Sequence, residues 1–347
     1  MKNFTYSFSI ISIVSTLLPF IKSSKWWIRI FDFPRSSIAV FCLISIVLCI
    51  IFLAGRGKMK ILIISLLTIS LVLQISKIIF YTPFYPSQAK KSVVTTDENR
   101  FSLLVTNVRM DNTEIGAFTN LITRWDPDII LITEPDDVWA KGLLDLDEKY
   151  PYFIKEPLSN TYGMILYSKL PLSEKKTRYL VSDEIPSIAT KITLRTGNEI
   201  MLYGLHPEPP KPGTDTYERD TEILIVGQEI KGSSIPVIVA GDLNDVAWSY
   251  TSELFQKYAE LVDPREGVGM FNTYNARFPL FRYPLDHVFY SKEFGLTRME
   301  LLEDIGSDHF PVFIELTFEP ELNKNIQMEK TGPETEQEVQ EKIDKGK

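Results

Sequence analysis

The chain has 347 residues, of which 44% are hydrophobic, and a formal net charge of −8, enough for a membrane segment and one sizeable domain. The charge is unevenly divided. Residues 1–91 hold eleven lysines and arginines against one acid, Asp32, whereas residues 92–320 hold 21 basic and 37 acidic residues, a balance that argues against general nucleic-acid binding, since phosphate-backbone affinity comes from Lys and Arg. The only cysteines, Cys42 and Cys49, lie in an apolar run, which excludes a cysteine nucleophile, a disulfide or a thiolate metal site from the polar part of the chain.

Three apolar runs come first, over 4–21, 38–54 and 61–80, and the only charge inside them is Lys77. About 20 mostly apolar residues cross a bilayer, so these runs predict three transmembrane helices in a segment covering 1–83. A signal peptide is the alternative for the first run. Its charged end is only Lys2, and Phe20-Ile21-Lys22 lacks the small residues of a cleavage site. The loop Arg56-Gly57-Lys58-Met59-Lys60 is short and basic, which favours the cytoplasm, while Lys22, Lys25, Arg29 and Arg35 nearly balance it on the other side. Three spans with a cytoplasmic N-terminus make this a multi-pass protein of the cell membrane with its polar domain outside the cytoplasm.

Residues 84–99 read as a polar linker. From Arg100 onward the pattern changes. Phe101–Val108 and Asp128–Thr133 read as strands, with a helix over Glu114–Trp125 between them. Gly163–Tyr167, Ile200–Leu205 and Val237–Ala240 are further strands, Thr214–Lys231 is helical, and Leu285–Tyr290 and Pro311–Phe318 are late strands. Strands alternating with helices predict an α/β domain over 100–318, and the strand-rich stretches 163–205 and 285–318 predict a mixed sheet or two packed sheets. Residues 319–347 are polar with isolated apolar residues and read as a disordered tail.

Polar clusters end several of these strands, where α/β folds place ligand sites. Glu134 follows Asp128–Thr133, and Asn107 follows Leu103-Leu104-Val105. Gly241-Asp242-Leu243-Asn244 ends Val237–Ala240, and on an extended chain Asp242 and Asn244 point to one face. All three histidines of the chain sit in such clusters: His206 after Leu205, His287 after Asp286, and His309 within Gly306-Ser307-Asp308-His309. The plain alternatives are helix capping for Glu134 and structural roles for the histidines. His287 should point away from Asp286 and reads as structural.

Taken in order, Asn107, Glu134, His206, Gly241-Asp242-Leu243-Asn244, Asp286 and Ser307-Asp308-His309 closely resemble the endonuclease/exonuclease/phosphatase superfamily, over roughly residues 100–318. The resemblance implies a four-layer α/β sandwich of two packed mixed sheets. Residue chemistry gives the roles, and the resemblance supports them. Glu134, Asn107 and Asp308 would be oxygen ligands for Mg²⁺, with Mn²⁺ as an alternative. Asp286 would orient His309, and the resemblance implies that this pair contacts the phosphoryl group or activates water. Asp242 is the other candidate base. Asn244 and His206 would donate to phosphate oxygens. Some nucleases of the family carry an acid two residues after the asparagine, where this chain has Arg109, which either contacts phosphate or is solvated.

The expected function is a membrane-anchored, metal-dependent phosphoesterase acting on a phosphomonoester, phosphodiester or pyrophosphate close to the bilayer, in a lipid or lipid-linked compound. The alternatives are an extracytoplasmic nuclease, which the acidic domain without a basic, aromatic-interleaved stretch disfavours, and a non-catalytic membrane scaffold on the same fold.

Overall fold

The structure is a computed structural model, and it describes residues 1–53, 55, 57–94, 96–321 and 331–347. Two compact units emerge. The first joins Met1–Pro86 with Pro210–Thr216 and Gly267–Gly269. The second comprises Ser87–Pro209, Tyr217–Glu266 and Met270–Lys347.

The first unit contains α1 (Lys2–Leu17), the short α2 (Trp26–Arg29), α3 (Arg35–Phe52) and α4 (Lys58–Ile78). With their terminal 3₁₀ turns, three of these form helical stretches long and apolar enough to cross a membrane: Lys2–Phe20, Arg35–Phe52 and Lys58–Tyr81. Thr5, Ser9, Ser12 and Thr16 recur every three or four residues on α1, so they share one face, and all four are buried. Ser12 Oγ lies 3.2 Å from Ser45 Oγ on α3, and Gln74 on α4 donates to Thr16 Oγ1 at 3.2 Å. Large apolar residues such as Ile10, Ile11, Leu43 and Ile51 face outward. Small and hydroxylated residues inside with large apolar ones outside is the arrangement that helix packing in lipid favours. Helix α3 starts three residues before the expected span because Asp32 pairs with both Arg29 and Arg35 at 2.9 Å, which lets Arg35 enter the helix buried.

In the second unit, β1 (Arg100–Asn107), α5 (Ile115–Trp125), β2 (Ile129–Thr133), α6 (Asp137–Gly142), α7 (Leu146–Lys149), β3 (Tyr152–Glu156) and β4 (Met164–Ser168) lead into β5 (Leu172–Tyr179), β6 (Pro186–Thr193) and β7 (Glu199–Gly204). Then follow α8 (Tyr217–Ile230), β8 (Val237–Asp242), α9 (Tyr250–Tyr258), β9 (Asp286–Tyr290), β10 (Phe294–Leu301), β11 (Val312–Phe318) and α10 (Pro333–Gly346). One sheet has the order β10-β11-β1-β2-β4-β3 and the other β5-β6-β7-β8-β9. Each is mixed: β1–β2 and β7–β8 are parallel, and the remaining pairs are antiparallel.

The central strands are apolar on both faces because both faces are covered. Leu103, Val105, Leu131, Leu202, Ile238 and Val288 pack between the sheets. Leu104, Ile130 and Phe313 pack outward against Phe118, Leu121 and Trp139. Val237, Val239 and Phe289 pack outward against Ile223, Leu224 and Phe255. The result is helices, sheet, sheet, helices: the four-layer sandwich expected.

Two stretches differ from expectation. Within the linker expected over 84–99, residues 87–94 pack into the second unit. Ala89 is buried in the inter-sheet core, Gln88 Oε1 accepts from Asp263 N at 2.7 Å, and Leu296 on β10 donates to Lys90 O at 2.7 Å. The tail expected to be disordered over 319–347 carries α10. Val339 and Ile343, read in isolation as stray apolar residues, lie four apart on one helical face and are buried with α8 side chains. Lys342 adds a 3.1 Å contact to the buried Asp220. The part of that expectation covering 322–330 falls outside the described residues.

Candidate active site

The strand ends bring the polar clusters together. In the parallel β1–β2 pair Asn107 stands opposite Thr133, so Glu134 follows directly beside Asn107, which donates from Nδ2 to Glu134 Oε1 at 2.7 Å. Glu134 holds φ +64°, a left-handed conformation uncommon outside glycine, and its N–H donates to Gly163 O at 2.9 Å. Capping of α6 falls to Asp136, whose Oδ1 accepts from Val138 N and Trp139 N, each at 2.9 Å. Glu134 is therefore not needed as a cap.

Asn107 Nδ2 also donates to Asp242 Oδ2 at 3.1 Å, which links the two sheets at their ends. Asp242 closes β8 and lies directly opposite Asp286 on β9. Gly241 before it has φ +134°, and a Cβ there would stand 2.0 Å from Leu205 O. The strand leading to His206 thus passes against bare backbone, which sets His206 Nε2 3.8 Å from Asp242 Oδ2 and 3.9 Å from Glu134 Oε1.

His309 arrives from the loop before β11. Its backbone N–H donates to Ser307 Oγ at 3.1 Å, and that hydroxyl donates to Asn107 O at 2.7 Å. Nδ1 lies 2.7 Å from Asp286 Oδ2 and Nε2 3.5 Å from Asp242 Oδ2. The bond to Asp286 fixes the tautomer and leaves Nε2 facing the site.

The electrostatics follow from burial and like charge. Burial pushes Glu134 up to about 7, with Asp242 and Asp308 adding to the rise against the Asn107 hydrogen bond and His309. Burial also raises Asp242. His309, His206 and the Asn244 N–H oppose that rise, and Asp286 adds to it. For His309, burial alone would lower the pKa, but Asp286 and Asp242 outweigh it and raise the group to about 10. His206 is lowered, by burial first, so it is neutral near pH 7.

Among the described residues, no lysine or arginine pairs with Glu134, Asp242, Asp286 or Asp308, and Asp286 Oδ1 is buried without a hydrogen-bond partner. Asp242, Asp286 and His309 each offer a ligating atom, all within 4.8 Å of one another. Carboxylates gathered at one buried place suit a divalent cation, which would compete with the protons that burial favours on Glu134 and Asp242. Within that trio the His309–Asp286 separation is already that of a hydrogen bond, and Glu134 Oε1 is held by the Asn107 amide at 2.7 Å. Asn107 as oriented turns Nδ2 to the carboxylates, while its Oδ1 accepts from Arg109 N at 2.9 Å.

Other expected residues sit differently. Asn244 is not on an extended strand: its φ is +50°, its N–H donates to Asp242 Oδ1 at 2.9 Å, and Nδ2 donates to Pro207 O at 2.9 Å. It braces the site turn with both groups. Arg109 pairs with Asp111, Nε to Oδ1 at 2.6 Å. His287 points away from Asp286, as expected. It lies 2.7 Å from Arg265 Nη2 through Nδ1 and 2.9 Å from Asp245 O through Nε2. Burial and Arg265 hold it well below its usual range, so it is a neutral structural group donating from Nε2.

Three supporting residues gave no sequence signal. Thr273 Oγ1 accepts from Leu285 N and Asp286 N, each at 3.2 Å. The rings of Tyr274 and Tyr162 lie 5.0 Å from His309 and 5.5 Å from His206. These residues lie in loops, and Tyr162 and Tyr274 are 44 and 35 residues from His206 and His309, so no local pattern marks them. Ser307 was visible only as part of its motif.

Comparison with known proteins agrees with this geometry. The model of the Endonuclease/Exonuclease/phosphatase family matches residues 104–309. Similar solved structures include a mannosyl-6-phosphatase from Bacteroides thetaiotaomicron VPI-5482 (TM-score 0.52, 21% identity, covering 63% of this chain and 100% of that one). D. rerio TDP2 complexed with single-strand DNA product is another (0.51, 17%, 63% and 99%). A third is the human Nocturnin catalytic domain with bound sulfate anion (0.52, 17%, 65% and 96%). At these identities the likeness is one of fold.

Proposed function

The chain belongs to the Endonuclease/Exonuclease/phosphatase family, and on that premise we propose that it is a membrane-anchored, Mg²⁺-dependent phosphoesterase acting on a phosphomonoester, phosphodiester or pyrophosphate held close to the bilayer. The observation that carries this reading is the convergence of Asn107, Glu134, His206, Asp242, Asp286 and His309 from both sheets.

A divalent cation suits the carboxylate-rich side of the site, with Glu134 and Asp308 as ligands and Asn107 turning its amide to present oxygen. Bound there, Mg²⁺ would polarise the phosphoryl oxygen and offset the charge developing on it. His309, held by Asp286, presents Nε2 to a phosphoryl oxygen or to the attacking water. Asp242, opposite it, is the second group positioned to orient or deprotonate that water. His206, neutral and with Nδ1 lacking a hydrogen-bond partner, donates to phosphate from Nε2. Asn244 contributes by holding Asp242, and its second amide hydrogen would donate to a phosphate oxygen.

Anchoring is supported by the three apolar helices. With three spans and a cytoplasmic N-terminus, the catalytic unit would lie outside the cytoplasm.

The test is a substrate panel on the full chain in detergent: phospholipids, isoprenoid pyrophosphates and chromogenic mono- and diesters, with Mg²⁺, with Mn²⁺ and with chelator. Metal-dependent release that disappears in Asp242→Ala supports the reading. Turnover of plasmid or RNA alone would replace it with a nuclease, and equal behaviour of wild type and His309→Ala in every assay with a scaffold.

A further inference from the structure

Beside the catalytic histidine the second unit carries an apolar hairpin that its own core does not use. Phe278, Leu280 and Phe281 are 61%, 83% and 58% exposed, and Pro279 between them is exposed as well. The tip is closed by hydrogen bonds from Phe278 N to Asn275 O at 3.3 Å and from Phe281 N to Phe278 O at 2.9 Å. Four consecutive apolar residues on an ordered turn in water are an unfavourable exposure that usually marks a contact surface.

The hairpin is fastened to the catalytic loop. Tyr274 at its base forms a β-bridge with His309. Ala276 N donates to Asp308 O at 2.7 Å, and Arg277 Nη2 donates to Gly306 O at 3.0 Å. Arg282 Nη2 donates to Ala276 O at 2.9 Å, and its guanidinium lies 4.9 Å from the Phe310 ring centroid. Whatever binds the tip is thereby placed next to Asp308 and His309.

We propose that the Phe278–Phe281 tip inserts into the headgroup–acyl boundary of the bilayer and holds the active-site mouth against a phosphate ester carried by a membrane lipid. This deepens the phosphoesterase reading and rests on it. Three features favour a bilayer as the occupant. The tip is aliphatic and aromatic and is flanked by Arg277 and Arg282, the pairing that anchors polypeptides at anionic membrane surfaces. Only residues 82–86 separate the last apolar helical stretch from the catalytic unit, and five residues reach roughly 17 Å when extended. The acidic excess over 92–320 disfavours a nucleic-acid strand as the alternative partner of exposed rings.

The test uses the full chain reconstituted into nanodiscs of phosphatidylcholine with and without phosphatidylglycerol. Leu280→Cys carries an environment-sensitive fluorophore, since the native Cys42 and Cys49 are both buried. The label should brighten, shift to the blue and be quenched by acyl-chain-brominated lipid, more so with phosphatidylglycerol present. The triple change Phe278→Ser, Leu280→Ser, Phe281→Ser should lose about tenfold in kcat/KM on a bilayer-held phosphate ester while hydrolysing a water-soluble ester as the wild type does. A label quenched only by aqueous acrylamide in every lipid, or one responding to a single-stranded oligonucleotide instead of lipid, overturns the proposal. The two readings fail separately. Lipid quenching without hydrolysis of any ester leaves insertion standing and removes the hydrolase, whereas hydrolysis with an aqueous label removes insertion alone.

Discussion

Asp242 and Asp286 stand directly opposite each other across the antiparallel β8–β9 pair, and His309 spans the gap between them, 2.7 Å from Asp286 and 3.5 Å from Asp242. Two buried carboxylates at adjacent strand ends repel each other, and the imidazole set between them relieves that repulsion. The same geometry leaves Nε2 towards Asp242 Oδ2.

If Asp286 acts through His309, as proposed, their effects should not add. Asp286→Asn and His309→Ala should each lower kcat by roughly 10²–10⁴-fold, and the double variant should be little worse than His309→Ala alone. Steady-state kinetics on the ester identified by the substrate panel reads this, and a double variant equal to the product of the singles would refute the dyad.

On the proposed reading, a divalent cation sits on the carboxylate-rich side. Chelation should abolish turnover and Mg²⁺ restore it. Glu134→Gln should raise the Mg²⁺ concentration for half-maximal rate by about tenfold or more, in keeping with losing an anionic ligand. A metal titration of rate decides, and an unchanged midpoint would remove Glu134 from the ligand set.

Gly241 allows the strand carrying His206 to pass close to β8. Gly241→Ala meets both a φ of +134° and Leu205 O at 2.0 Å, and should cost about 3 kcal/mol or more. Gly197→Ala also has positive φ (+83°) but open space around its Cβ, and should cost about 1 kcal/mol. Thermal melts of both in detergent compare strain alone with strain plus collision, and equal losses would contradict the close approach.

Glu222 on α8 is buried with Oε1 unpartnered, and burial pushes it up to about 8, with Arg178 opposing. An acid whose folded pKa is raised binds its proton more tightly when folded. Its contribution is therefore intact below the unfolded value near 4.5 and is lost as pH rises towards about 8. Glu222→Gln removes that loss, so it should be more stable than wild type at pH 8–9 by on the order of a few kcal/mol and melt higher there, with the gap closing below pH 5. Melting temperature against pH for the two proteins checks the sign, and a gap that widens at low pH would reverse it.

The sequence by itself determined the three apolar helices, the strand ends bearing Asn107, Glu134, Asp242 and Asp286, and the orientation of His287 away from Asp286. These depend on local rules: apolar run length, two-residue strand periodicity, and the chemistry of residue types in a fixed order. Only the tertiary structure decided what those residues do to one another. The extended-chain argument for Asn244 failed because a left-handed residue turned it to brace Asp242 and Pro207. The amide of Asn107 faces the carboxylates with nitrogen because Arg109 N–H takes its oxygen. Thr273 and Tyr274 reach the dyad through long-range pairing that no window of sequence encodes. The polar tail gained a helix because Val339 and Ile343, unremarkable in composition, share one face against α8. Periodicity fixes which face a residue takes, whereas the partner on that face is set by chain segments that meet only when both sheets close on each other.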